Sequence, residues 1–238
     1  MYILYASGEI VLVMVGILIA LQIDNRNDFR KERILENKYL LSIKRELEDN
    51  IQEALSQSSF SEFQQNNGEL ILLALADTTR IITEDLAVAI EHIGWHRKLN
   101  YIRDVWDELY ATGNIEIITN LDLKNDLLVL YRNLELSLKH EELEWINYNL
   151  GIRRIVGGIL PPAVRLDIAA HLSPSEYLGG IEMQIPTLDV MLARLKNLEE
   201  LNGYLSDIIM ARMISQIFLS MQVKEMKEII EKLEDYLK

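Results

Sequence analysis

One carboxylate, Glu9, stands in the run from Tyr2 to Ile23, where no Lys, Arg, Asp or Pro accompanies it. An ionisable group in so apolar a stretch has three chemical uses. It can snorkel to a nearby interface, hydrogen-bond a neighbouring helix, or relay a proton. A relay would have only Ser7 and Gln22 to extend its path. A second candidate is the pair His92 and His96 in "EHIGWHRK". Imidazoles four residues apart share one helix face and can chelate a metal, but the HExxH arrangement is missing and Gly94 weakens the helix. Two ligands do not complete a site. The carboxylates of Glu141-Glu142-Glu144, Glu199-Glu200 and Glu228–Asp235 fall at helical surface spacing near lysines, the pattern of solvated faces.

Other chemistries lack their residues. Cysteine is absent, which removes thiolate metal sites and cysteine nucleophiles. Gly157-Gly158 is followed by Ile-Leu-Pro-Pro rather than a P-loop lysine. No Glu-x-x-His pair of the di-iron type occurs, since Glu91 and His92 are adjacent. The sequence therefore offers no catalytic seat and implies no cofactor and no metal. A formal charge of −13 argues against nucleic-acid binding, which needs a basic patch. Trp106 and Tyr110, and Trp145 and Tyr148, sit at helical spacing as core packing, a pocket lining or a partner surface.

The elements that would position these groups are helices. Residues 2–23 in helical form would span about 33 Å, the thickness of a bilayer core, and every face is apolar. The reading is an uncleaved transmembrane helix over 1–23, since a basic n-region and a small-residue cleavage site are lacking. Gly8, Glu9, Gly16 and Ala20 fall near one face, a small-residue seam through which copies of the anchor can approach. Charges begin at Asp24, and Leu40, Ile43, Leu47, Ile51 and Leu55 recur at three- and four-residue steps. A helical stalk over 24–57 is expected to continue the anchor.

A helical bundle domain follows over 58–238. The polar Ser56–Gly68 stretch reads as a turn, and Thr83-Glu84-Asp85 as a helix start with Thr83 as N-cap. "NIEIIT" at 114–119 is the only β-like run. Long helices are expected from Leu121 to about Tyr148 and from Gly203 to the C-terminus, with an irregular segment at 151–186 that holds all four prolines and five of the eleven glycines. The fold class is all-α: a transmembrane helix continuing into a membrane-proximal antiparallel bundle.

Gly8-Glu9-Ile10 and Gly16-Ile17-Leu18-Ile19-Ala20-Leu21-Gln22-Ile23 resemble the N-terminal signature of an uncharacterised family of Gram-negative bacterial membrane proteins. "DELYATGNIEIITNLDLKNDLLVLY" is similar to a later segment of that family. Where the family pattern continues Asn-Asn-Trp-Asn, this chain has Asp24-Asn25-Arg26-Asn27, so Arg26 takes the interfacial anchoring position. The resemblance implies an inner-membrane anchor followed by a helical domain, and no activity. It also implies a periplasmic domain, whereas the five basic residues from Arg26 to Lys38, taken literally, favour the cytoplasm. The resulting expectation is an oligomeric, single-pass membrane-anchored scaffold or interaction component of the bacterial envelope, with membrane lipid and an unidentified protein as partners. A sensory ligand-binding module and an ion-conducting subunit built on Glu9 are the alternatives.

Overall fold

The computed structural model describes residues 2–77, 79, 81–170 and 185–238, with side chains from residue 14 onward except at 145 and 170. Every regular element among these residues is helical. In chain order they are α1 (Tyr2–Ala76), α2 (Thr83–His92), α3 (Asp104–Ala111), a 3-10 turn (Asn114–Ile117), α4 (Leu121–Glu144), a π-helical turn (Trp145–Asn149), α5 (Leu150–Val156), α6 (Pro162–Ala170), α7 (Leu188–Lys196) and α8 (Leu201–Tyr236). The chain divides into two compact units. One holds residues 1–48, 102–131 and 228–238, and the other holds 49–101 and 132–227.

Several local expectations are corrected. Ser56–Gly68 is not a turn, because α1 continues without a break to Ala76. Its polar residues Gln57, Ser61, Gln64 and Asn67 repeat at helical period and are buried. Gln57 Nε2 donates to the Arg97 carbonyl at 3.1 Å, and Gln64 Nε2 to the His92 and Trp95 carbonyls at 2.8 and 3.1 Å. Gln57 and Gln64 thus satisfy backbone acceptors at the end of α2 and in the connection after it, whereas Ser61 Oγ and Asn67 Nδ2 are buried without a hydrogen-bond partner. Thr83 is the first helical residue rather than the cap, which is Ile82. The β-like run is a 3-10 turn, and part of the expected irregular segment is α5 and α6. Residues 171–184, with Pro174 and Gly179-Gly180, lie outside the described residues.

In the first unit, Leu40, Ile43 and Leu47 of α1, Leu123, Leu127 and Leu130 of α4, and Leu233 of α8 are buried. Trp106 stacks flat on Tyr131, ring centroids 4.4 Å apart. The Tyr131 hydroxyl donates to Glu46 Oε1 at 2.5 Å, and Glu46 Oε2 accepts the Val105 N–H at 2.8 Å. A carboxylate from α1 therefore caps the N-terminus of α3, where the helix dipole favours negative charge. Burial still pushes the Glu46 carboxyl above its ordinary value. Glu36, fully buried, accepts from the Thr119 N–H at 2.8 Å and the Tyr236 hydroxyl at 2.9 Å, and pairs with Arg33. Gly113 closes α3 with φ 73, in the left-handed region. An added Cβ there meets nothing within 4 Å, so Gly113→Ala should cost only backbone strain, about 1–2 kcal/mol, read as a lowered urea midpoint.

The second unit has a continuous apolar core. Ile71, Leu86, Ile90, Ile93, Ile152, Met191, Leu205 and Ile208 all join it. Glu91 of α2 pairs with Arg165 of α6, Nε to Oε2, at 2.5 Å. Gly151 opens α5 where a Cβ would fall 2.5 Å from the Tyr204 ring, so only glycine admits that close approach.

Among the described residues, no helix is long and apolar enough to cross a membrane. Side-chain description begins at Met14, so Gly8 and Glu9 lie outside it. Gly16 has nothing within 4 Å of an added Cβ, and Ala20 and Arg26 are exposed.

Candidate functional site: a groove between α4 and α8

The second unit concentrates its unusual chemistry where α4 passes into the π-helical turn beside α8. Arg212 lies on α8 at 1 % exposure, the largest fully buried side chain. Its Nη2 donates to Asn149 Oδ1 at 2.6 Å and its Nη1 to Glu144 Oε2 at 3.3 Å, while its Nε has no hydrogen-bond partner. Asn149 in turn donates from Nδ2 to the Trp95 carbonyl at 2.7 Å. The π-helical turn produces this arrangement. One residue more per turn than an α-helix places Glu144, which ends α4, and Asn149, which ends the turn, on the same guanidinium.

Glu141 lies one turn before Glu144 and is 9 % exposed. Burial pushes its carboxyl up to about 7, against the Leu99 N–H bond and the Arg212 charge, which lower it. Its Oε1 sits 3.3 Å from His96 Nε2, an imidazole that burial, Arg212 and Lys98 push down to about 4. Near neutrality His96 is therefore uncharged beside a carboxyl that holds its proton about half the time. Burial also raises Glu144, against the pull of Arg212 and His140.

Above this buried layer runs an open groove. One hollow of about 240 Å³ is lined by Leu136, Glu141, Phe218 and Gln222 among others. A second, of about 320 Å³, is lined by Leu143, Tyr148, Asp207, Met210 and Ile214 among others. His140 and Glu144 belong to both, so the two form one cleft. Along α8 it runs from Asp207 to Gln222, about 22 Å at the helical rise. Its rims are apolar and exposed. Met210 is 62 % exposed and Leu143 58 %, and Leu136, Ile214 and Phe218 are exposed as well. Met210, Ile214 and Phe218 recur at four-residue steps, as residues on one helix face do.

The candidate residues distribute as follows. Trp106 is buried and Tyr110 exposed in the first unit, with ring centroids 6.4 Å apart. Trp145 and Tyr148 belong to the second unit. Tyr148 lines the groove, and the Trp145 side chain lies outside the described residues. His92 does not join His96. It is buried between Phe63 and Trp95, at 5.4 and 4.2 Å, and neither of its nitrogens makes a hydrogen bond. No group of three or more His, Asp or Glu among the described residues can hold a metal ion.

Arg212, Glu141, Glu144, Asn149 and His96 as a cluster escaped the reading from sequence. A signal existed: between Gly203 and Lys224, Arg212 is the only basic residue, set in the apolar run Ile208-Ile209-Met210-Ala211 and Met213-Ile214. Comparison with family models, curated proteins and solved structures returned no match.

Proposed function

We propose that this is a single-pass, membrane-anchored helical protein of the bacterial inner membrane that serves as an interaction or scaffold component of the envelope. The apolar run from Tyr2 to Ile23 supports the anchor, and α1 continues from it without interruption. The resemblance to the anchored family supports a periplasmic domain. The observation that carries the interaction role is the exposed apolar rim of the groove, with Met210, Ile214 and Phe218 on α8 and Leu136 and Leu143 on α4. An isolated module gains nothing by leaving such a row in water, whereas a partner would bury it. The Gly16 and Ala20 seam favours more than one copy in the membrane.

The test is gentle detergent extraction followed by affinity purification. A partner protein in fixed stoichiometry, with the chain resisting carbonate extraction and its domain cleaved by protease added to spheroplasts, is the expected result. A carbonate-soluble chain that purifies alone would remove the proposal.

A ligand-binding module is the second reading. The hollow beside Glu141, with polar Gln222 and Glu144 in its lining, favours it. Native mass spectrometry of the same purified material separates the two. A retained small-molecule adduct supports this second reading, and the bare polypeptide mass opposes it.

A further inference from the structure

We propose that the groove between α4 and α8 docks an amphipathic helix of a partner protein, about four turns long, apolar on one face and basic along its flank. This rests on the interaction role proposed above and names the chemistry of the partner. Three observations define the occupant. The groove's length, about 22 Å, is that of four helical turns. Its rims supply apolar contacts at helical spacing, with Met210, Ile214 and Phe218 on one wall and Leu136 and Leu143 on the other. A helix laid in such a groove answers with apolar residues three and four apart. One of the exposed rim residues is a methionine, Met210, whose flexible thioether fits apolar surfaces of varied shape.

The third observation is charge. Glu141 and the exposed Asp207 line the groove, and among the described residues no Lys or Arg does. Glu144 lines it too, but it is buried on Arg212, so that pair offers no net charge to an incoming helix. The rim therefore favours Lys or Arg on the partner. It disfavours a second copy, which would bring the same acids in a chain of net charge −13. It equally disfavours an anionic lipid surface, which attracts basic rather than acidic faces.

The probe is a fluorescent synthetic helix of about 16 residues with leucines at three- and four-residue spacing and lysines elsewhere. Its control carries glutamine in place of every lysine. Both are titrated against the full chain in mild detergent. The expected result is that the lysine helix binds at least about tenfold more tightly than the glutamine helix and weakens as salt is raised. In the Met210→Asn, Phe218→Asn variant its affinity should fall at least about tenfold, because both side chains are exposed rim contacts. Leu166→Asn, at an exposed apolar site that lines neither hollow, should leave binding unchanged. Equal loss in both variants, or equal binding of the two peptides, would overturn the proposal. So would a chain dimer that dissociates in the groove variant while no peptide binds, since the occupant would then be a second copy. Vesicles of anionic lipid that compete for the rim would overturn it as well. A partner protein that co-purifies equally with wild type and groove variant leaves the interaction role standing and sinks the groove. Peptide binding at the groove without any co-purified partner does the reverse.

Discussion

Arg212→Ala should destabilise the protein by about 3–5 kcal/mol, the cost of leaving a buried charge and its acceptors without their partner. The guanidinium donates to Asn149 Oδ1 and to Glu144 Oε2, and all three residues are buried. Its removal leaves a carboxylate and an amide oxygen facing a cavity. The midpoint of urea unfolding followed by circular dichroism should fall with the slope unchanged. The paired replacement Arg212→Met with Glu144→Leu should restore much of the loss, because removing both charges together abolishes the desolvation cost as well as the attraction. An unchanged midpoint in the single variant would show that the cluster is solvated and adds little.

The His96–Glu141 contact makes a second prediction, in pH. The folded Glu141 carboxyl lies at about 7, above its ordinary 4.5. Its contribution is fully present below pH 4.5 and is lost as pH rises through 7. The folded His96 imidazole lies at about 4, below its ordinary 6.5. Its contribution is fully present above pH 6.5 and is lost as pH falls through 4. Between pH 4.5 and 6.5 the slopes oppose. The unfolded chain binds one more proton at the imidazole and one fewer at the carboxyl. The pair should therefore hold stability nearly level across that window, while each single variant exposes the other group's slope. Glu141→Gln should gain about 2–3 kcal/mol in stability from pH 4.5 to 6.5 relative to wild type, and His96→Asn should lose a similar amount. Denaturant midpoints taken at half-unit pH steps measure both. Parallel pH curves for the three proteins would mean that the two groups titrate in water.

The long helices were legible because their signal is periodic. Leu123, Leu127, Leu130 and Leu134 are spaced as a buried stripe must be, and all four are buried. Leu40, Ile43, Leu47 and Ile51 behave in the same way, while Leu55 at the end of their row is exposed. Periodicity misleads when the buried stripe is polar. Gln57, Ser61, Gln64 and Asn67 follow the helical repeat as faithfully as any leucines, but Gln57 and Gln64 are held by the carbonyls of His92, Trp95 and Arg97, far along the chain. Pattern reading assigns such residues to solvent, and the result was a turn where α1 is unbroken.

The groove was hidden for a related reason. Glu141 and Glu144 look like their exposed neighbour Glu142 until Arg212 is seen beneath them. Only the three-dimensional pairing separates the buried acids from the solvated one. The aromatic pairs were visible as chemistry but not as places. Trp106 is packing on Tyr131, and Tyr148 is a groove wall.

The π-helical turn at Trp145–Asn149 also has a meaning in the arithmetic of chain length. A turn that holds one residue too many is an insertion absorbed without breaking the helix. Each residue of an α-helix advances the face by about 100°, so residues four apart share a face. The wider turn fits one residue more into about the same revolution, which is why Glu144 and Asn149, five apart, meet one guanidinium. A deletion of one residue within the turn would thus let the helix close into ordinary register with everything beyond it facing nearly as before. Helix content would survive, and an asparagine four residues after the glutamate would still reach Arg212. Homologous chains one residue shorter at this point would then be expected to keep the buried arginine, so a gap in an alignment here would record a change of length that leaves the groove intact.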